Sequence, residues 1–381
     1  MMSFLLIDEE VMEYELLLYA LLLSIGFIVL SIRWAGRLGW VDRPDDRKQH
    51  RHPVPLTGGI AMCAAFCLSL PLMPDKPDAY LVLLASLVVL ALVGAYDDLR
   101  SIRPATRFLF QTVAVLLMTL NGQVLLSNLG NLLGWGSVVL GDLAIPFTLF
   151  GIVGVINAFN MIDGLDGLAG GVALIAIGWL LALNLTAPAP DHHASNALLV
   201  LAMVIVGFLC FNLRHPWRVQ ASVFMGDSGS TMLGFALGWF LVSLSQDREG
   251  QAAVMTPMTA VWILAVPLLD AVTVMIRRLR ARQSPFNADR QHLHHLLLNY
   301  GYSDGQVTAM LLTGALITGV IGMAAHRLAV PEFVQFYGFL GVFLLYYQAT
   351  THIWLRHLVR LRQNDQESDD GQANSLTPMQ R

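Results

Sequence analysis

The chain has 381 residues, of which 55% are hydrophobic and only 13% charged, with a net charge of −4. That charged share is about half of what an ordinary soluble domain carries, and with a mean hydropathy of +0.59 it excludes a soluble globular enzyme. Cys63, Cys67 and Cys210 all lie in apolar runs without a metal-ligand pattern, so they read as reduced packing residues.

Apolar runs long enough to cross a ~30 Å hydrocarbon core as helices recur along the chain. They fall near 14–33, 57–74, 79–97, 105–122, 143–161, 167–186, 196–213, 229–245, 254–276, 305–325 and 334–355. The fold class is therefore an all-α, polytopic transmembrane helix bundle of about 11 spans. The first run follows Asp8, Glu9, Glu10 and Glu13, where a signal peptide would begin with basic residues, so the first span is expected to stay in the mature chain. The Gly-rich stretch 123–142 is a loop, or else a surface-lying or re-entrant piece. Residues 1–362 form the membrane domain, and the polar tail 363–381 is expected to be disordered.

Twenty of the 23 Lys and Arg residues fall in alternate loops and the tail, leaving Lys76, Arg248 and Arg327 on the other side. Cytoplasmic loops retain positive charge. The N-terminus is therefore placed outside and the C-terminus in the cytoplasm.

This topology puts five polar clusters on one face: DRPDDRKQHRHPVPLTGG, AYDDLRS, NAFNMIDGLDGLAGG, VFMGDSGS and SPFNADRQHLHHLL. Asp97 and Asp98 are adjacent acids at a span end, either solvated or relieved of their repulsion by a cation. Asn160, Asp163 and Asp166 recur every three residues among glycines, so a helical turn brings their oxygens toward one side, where they suit Mg²⁺. Gly164, Gly167, Gly170 and Gly171 would let backbone N–H groups approach a phosphate. Asp227 in GDSGS sits at a helix start, where the donors meet an anion or the aspartate is itself the N-cap.

His292, His294 and His295 follow the basic run RRLRAR and adjoin Asp289 and Arg290. No cysteine joins them, and the surrounding oxygen donors favour magnesium over zinc, so these histidines fit hydrogen bonding to a diphosphate. Positive-inside topology supplies arginines in any case. Only Lys48 and Arg290, embedded in polar clusters, stand out as substrate ligands.

In this order and spacing, AYDD, NAFNMIDGLDGLAGG, VFMGDSGS and SPFNADRQHLHHLL resemble the polyprenyl-phosphate N-acetylhexosamine-1-phosphate transferase family, specifically its bacterial undecaprenyl-phosphate GlcNAc-1-phosphate branch. The resemblance covers roughly 40–300. It implies a multi-pass inner-membrane enzyme with its active site facing the cytoplasm. Asp97 and Asp98 match the family's paired acids, Asp163 and Asp166 its acid-rich loop near the nucleotide, and Asn160 and Asp227 its Mg²⁺ and diphosphate positions. Phe224 looks like the aromatic that stacks on uracil, and the three histidines match the motif at the diphosphate. Lys48 matches a family lysine only approximately. Relatives that use UDP-MurNAc-pentapeptide carry three consecutive histidines, whereas Leu293 interrupts them here, which argues for UDP-GlcNAc or another UDP-N-acetylhexosamine.

The implied reaction moves GlcNAc-1-phosphate from UDP-GlcNAc to undecaprenyl phosphate and releases UMP, as the first membrane step of O-antigen or a related surface glycan. The implied cofactor is Mg²⁺, with Mn²⁺ as its alternative, and the partners are the two substrates and the membrane. Nucleic acid is excluded as a partner and a homodimer is admitted. Direct displacement and a two-step route through an aspartyl intermediate both stay open. A transporter is disfavoured because its ionisable groups usually lie near the bilayer midplane, and a scaffold leaves the co-facial clusters without a purpose.

Overall fold

The computed structural model describes residues 2–42, 53–74, 76–214, 218, 220–248, 250–284 and 291–375, with side chains from 14 to 354. Lys48 and Arg290 lie outside the described residues, as do the last six residues of the tail.

The helices run in the order α1 (Met2–Leu38), α2 (Gly58–Ser69), α3 (Ala79–Leu99), α4 (Pro104–Leu120), α5 (Ala144–Ile162), α6 (Leu168–Leu185) and α7 (His192–Asn212). They continue with α8 (Gly226–Ser245), α9 (Pro257–Ile263), α10 (Ala265–Arg280), α11 (Leu293–Asn299), α12 (Asp304–Arg327) and α13 (Glu332–Ser375). The short strands β1 (Val41–Asp42) and β2 (Val54–Pro55) pair antiparallel between α1 and α2. The protein is a multi-pass helical bundle.

Among the described residues seven helices are long and apolar enough to cross a membrane, or eight if the bent α9–α10 pair counts as one span. The sequence reading of eleven straight spans is thus too simple in two respects. First, α2 with the 3-10 turn that follows it, and α4, are shorter than the other apolar helices; Pro71 lies in the turn that ends the former and Pro104 starts the latter. Second, the expected continuous span at 254–276 is broken by an 82° bend at Leu264. Pro267 explains the break, because its ring removes the N–H that Ile263 O would accept and crowds that carbonyl.

Helix α8 is the centre of the bundle, with every residue from Ser228 to Ser245 buried. It is less apolar than most of the other spans, which a helix without lipid contact tolerates. Its hydroxyls turn inward on the helix: Ser230 Oγ donates to Gly226 O (3.1 Å) and Thr231 Oγ1 to Asp227 O (2.6 Å). Small residues allow its neighbours very close. A Cβ on Gly94 of α3 would lie 2.5 Å from the Ser228 backbone, and one on Gly59 of α2 would lie 2.1 Å from Gly229 N. Such backbone approach is how helices associate tightly where lipid supplies little hydrophobic drive.

The stretch 123–142 is an ordered ribbon. Asn128 bridges Val139, and Gln246 at the end of α8 binds it through Ser127 N (3.0 Å), Asn128 N (2.9 Å) and Asn128 O (2.9 Å).

Gly94→Ala should destabilise the detergent-purified protein by about 1–3 kcal/mol, the usual cost of forcing extra volume into a packed contact. Gly178→Ala, whose Cβ meets nothing within 4 Å, should not. Thermal unfolding of both variants checks this, and equal midpoints would contradict the close α3–α8 contact.

Candidate active site

The first piece of the site is the crossing of α3 and α8. Gly226, at the left-handed φ of +70°, turns the start of α8 so that Asp227 N donates to Asp98 Oδ1 (2.8 Å) and Ser228 N to Asp98 Oδ2 (3.4 Å). A Cβ at Gly226 would lie 2.5 Å from Asp98 Oδ2. The anion at this helix start is therefore a carboxylate of the chain itself, and Asp227 is the second residue of α8, not its N-cap.

Asp227 is held on both sides, its Oδ1 accepting from Asn160 Nδ2 (2.7 Å) and its Oδ2 from Arg107 Nη1 (3.4 Å). The Asn160 amide also donates to Ser230 Oγ (3.1 Å), so its N–H groups are spent within the protein and its Oδ1 is left as an acceptor. Arg107 extends to Asp97, with Nε 3.1 Å from Oδ2, while Asp97 Oδ1 accepts from Ile102 N (2.8 Å). Asp97 is buried behind Arg107 and is not part of the cleft wall.

The second piece is the α5–α6 turn. Asp163 ends α5 at φ −75°, ψ 61°, with Gly164 N donating to Ile162 O (2.8 Å), which is an inverse γ-turn. Gly167, at φ +78°, starts α6 and gives its N–H to Asn212 Oδ1 (2.7 Å). Asp166 Oδ2 accepts from Arg214 Nε (2.5 Å) and Ala221 N (3.1 Å), and Arg214 also reaches Asp304 (2.6 Å). Asp163 has no ion-pair partner among the described residues. Burial, with Asp227, Asp98 and Asp166 nearby, pushes its carboxyl up to about 8.

The third piece is the histidine segment. His292 Nδ1 lies 2.7 Å from Asp270 Oδ2, its ring is parallel to that of His294 (centroids 5.8 Å apart), and His294 tilts against His295 at 4.1 Å. His294 is buried against Gly164, whose Cβ would meet its Nε2 at 2.3 Å. Burial and the neighbouring His295 lower its pKa to about 3, so it is neutral at physiological pH. Of the three rings only His295 lines the cleft.

These pieces enclose a cleft of about 560 Å³. Its walls include Asp98, Asn160, Asp163, Asp166, Phe224, Asp227 and His295, with Asp42, Val54 and Leu56 from the first cluster. All five sequence clusters thus contribute to one site. Phe224 is fixed by its backbone, its N–H donating to Pro55 O (2.8 Å) and its carbonyl accepting from Gly58 N (3.0 Å). Sequence reasoning passed over Arg107, Arg214, Asn212 and Asp270. An acid inside the apolar run VPLLDAV was the available signal for Asp270.

Among the described lining residues there are six carboxylates and one arginine, Arg214. No three His, Cys, Asp or Glu side chains among the described residues are grouped tightly enough to hold a metal unaided. Mg²⁺ fits such a donor set, because it typically takes one or two carboxylates and completes its shell with water and substrate phosphate oxygens. Asp227, Asp163 and the Asn160 oxygen are the donors that would hold it.

Residues 80–245 match the model of glycosyl transferase family 4. The chain is 36% identical over 341 residues to an undecaprenyl-phosphate alpha-N-acetylglucosaminyl 1-phosphate transferase of Yersinia pestis, covering 89% of this chain and 91% of that protein. Proteins of the same name from Escherichia coli K12 (35%, 91% of this chain and 94% of that protein) and Haemophilus influenzae (37%, 84% and 89%) are similar.

A carboxyl raised from 3.8 to about 8 keeps its proton in the folded chain after the unfolded chain has lost it. Its contribution to stability therefore falls as pH rises from about 4 to about 8. Asp163→Asn should unfold at a higher temperature than wild type at pH 8 and show a flatter pH dependence across that window without added metal. Parallel pH profiles for the two proteins would contradict this.

Proposed function

The chain belongs to glycosyl transferase family 4, among the polyprenyl-phosphate N-acetylhexosamine-1-phosphate transferases, and from that membership we propose that it transfers GlcNAc-1-phosphate from UDP-GlcNAc to undecaprenyl phosphate, releasing UMP. The observation that carries this reading is the gathering of Asp98, Asn160, Asp163 and Asp227 from three distant segments at one cleft. An anionic donor entering a wall with this excess of carboxylate needs a cation. Bound Mg²⁺, or Mn²⁺ in its place, would neutralise charge on the diphosphate as UMP departs.

The residues divide the work as follows. Asp98 spends both oxygens on the start of α8 and so fixes Asp227, while Arg107 and Asn160 orient the Asp227 carboxylate toward the metal position. Asp163 faces the same space and has no ion-pair partner among the described residues. Asp166, paired with Arg214, holds the acid loop at the nucleotide, and Phe224 offers a face for uracil. His295 meets the diphosphate from the opposite wall, supported by His294 and His292, and Lys48 and Arg290 add positive charge to the donor. The lipid phosphate, with a second pKa of about 6, is largely a dianion at neutral pH and can displace UMP directly without a general base.

In the membrane we place the cleft at the cytoplasmic face of the bacterial inner membrane, with eleven membrane segments, the N-terminus outside and the C-terminus inside. Twenty of 23 Lys and Arg residues support that orientation. The acceptor's isoprenoid stays in lipid while its phosphate reaches the cleft. The product would feed O-antigen or another surface glycan. The tail 363–381 lies outside the catalytic domain, and the enzyme acts as a monomer or homodimer.

UMP release from UDP-GlcNAc by the detergent-purified enzyme should require undecaprenyl phosphate and Mg²⁺. Asp227→Ala should lower kcat by at least about 100-fold, the scale of losing one preorganised electrostatic group. Turnover with another UDP-N-acetylhexosamine in place of UDP-GlcNAc would change the donor alone. Turnover in EDTA equal to that in Mg²⁺ would contradict the metal's role.

A further inference from the structure

We infer that Asp270 is a positioning residue for the histidine row, an assignment that rests on the proposed role of His295 at the cleft wall. Asp270 lies in α10, just past the break, and is only 5% exposed. A carboxylate inside a membrane-spanning segment is costly and is retained when it has a partner and a task. Here it has three partners from two other elements. Its Oδ2 lies 2.7 Å from His292 Nδ1, and its Oδ1 accepts from Leu293 N (2.9 Å) and from Tyr346 OH (3.0 Å).

The first contact fixes a tautomer. An ionised carboxylate only accepts, so His292 carries its proton on Nδ1. The second contact fixes the first residue of α11, the helix that carries His294 and His295. From there the rings lie in a row, His292 parallel to His294 within 8° and His294 tilted against His295 by 46°. The Nε2 edge of His294 lies against Gly164. A rotation of His292 or a shift of the α11 start therefore reaches the cleft through His295, although Asp270 itself touches no substrate position.

The third contact brings in the last helix. Tyr346 of α13 bonds Asp270, Tyr347 OH accepts from Arg280 Nη1 (2.7 Å), and Thr350 Oγ1 accepts from Arg277 Nη2 (2.5 Å). All three lie within about one turn of α13. This helix lines no part of the cleft among the described residues, yet it is tied to the histidine segment by Asp270, by Arg277, which also donates to Gln291 O (3.0 Å), and by direct packing on α11.

Asp270→Asn separates positioning from simple stapling. The amide oxygen can still accept from Leu293 N and Tyr346 OH, but an N–H then faces His292 Nδ1 and favours the opposite tautomer. Three measurements are made on wild type, Asp270→Asn and Tyr346→Phe in lipid nanodiscs: thermal midpoint, ¹⁵N-histidine resonances with His292 assigned by its Gln variant, and kcat and KM for UDP-GlcNAc. Asp270→Asn is expected to keep the wild-type midpoint and to move His292 Nδ1 from the protonated to the unprotonated range. Its kcat is expected to fall by about 10–100-fold, the range typical of removing a histidine's orienting partner, with little change in KM. Tyr346→Phe keeps the His292 contact and is expected to keep the wild-type resonance.

An unchanged His292 resonance in Asp270→Asn overturns the assignment, as does a loss of turnover that only follows loss of folded protein. If wild type releases no UMP from any UDP-sugar, the transferase reading fails, and the nitrogen resonances still decide whether Asp270 sets the His292 tautomer.

Discussion

The site depends on one interaction, the Asp98 carboxylate of α3 seated on the first N–H groups of α8. A helix start carries partial positive charge and unpaired donors, and it would otherwise be a natural cradle for a phosphate. This protein fills that cradle with its own acid. The consequence is geometric, because α8 is fixed at its origin and Asp227, its second residue, is held where Asn160 and Arg107 can orient it. The consequence is also electrostatic: the substrate's negative charge must be met by something other than the α8 helix start.

The carboxylates then separate by what surrounds them. Asp97, Asp166 and Asp270 each have a basic partner, Arg107, Arg214 and His292 respectively, and each ties two or more elements together. Asp98 is satisfied by backbone donors. Asp163 has no compensating ion pair among the described residues, and burial and its acidic neighbours raise its pKa to about 8. A set of acids of which one prefers to stay protonated at neutral pH is a set that would gain from a divalent cation. The frame of paired acids thus leaves a small group of oxygen donors for the chemistry.

Much of this was legible in the sequence. A helix stands at each apolar run, and the five polar clusters meet in one cleft, because hydropathy and the placement of charge are local properties that survive folding. The failures have specific causes. Hydropathy read 254–276 as one span because it does not register that Pro267 removes a backbone donor, and the α9–α10 bend follows from that. Arg107 was passed over because positive-inside topology makes arginines common in such loops, and nothing local distinguishes the one that bridges Asp97 and Asp227. The pairing of Asp98 with the start of α8 spans 129 residues of chain, so GDSGS alone left open whether an external anion or Asp227 served the helix start. The histidines were read as three equal ligands, whereas packing leaves His295 at the wall and puts His292 and His294 behind it.

If this cleft accepts an anionic donor only when a divalent cation offsets its carboxylates, calorimetric titration of UDP-GlcNAc into the nanodisc-embedded protein must give different affinities in Mg²⁺ and in EDTA. Binding should be saturable in Mg²⁺ and weaken by at least about tenfold in EDTA, equivalent to ~1.4 kcal/mol. Equal affinity in both buffers would mean that the protein's own cations suffice, and would contradict the account.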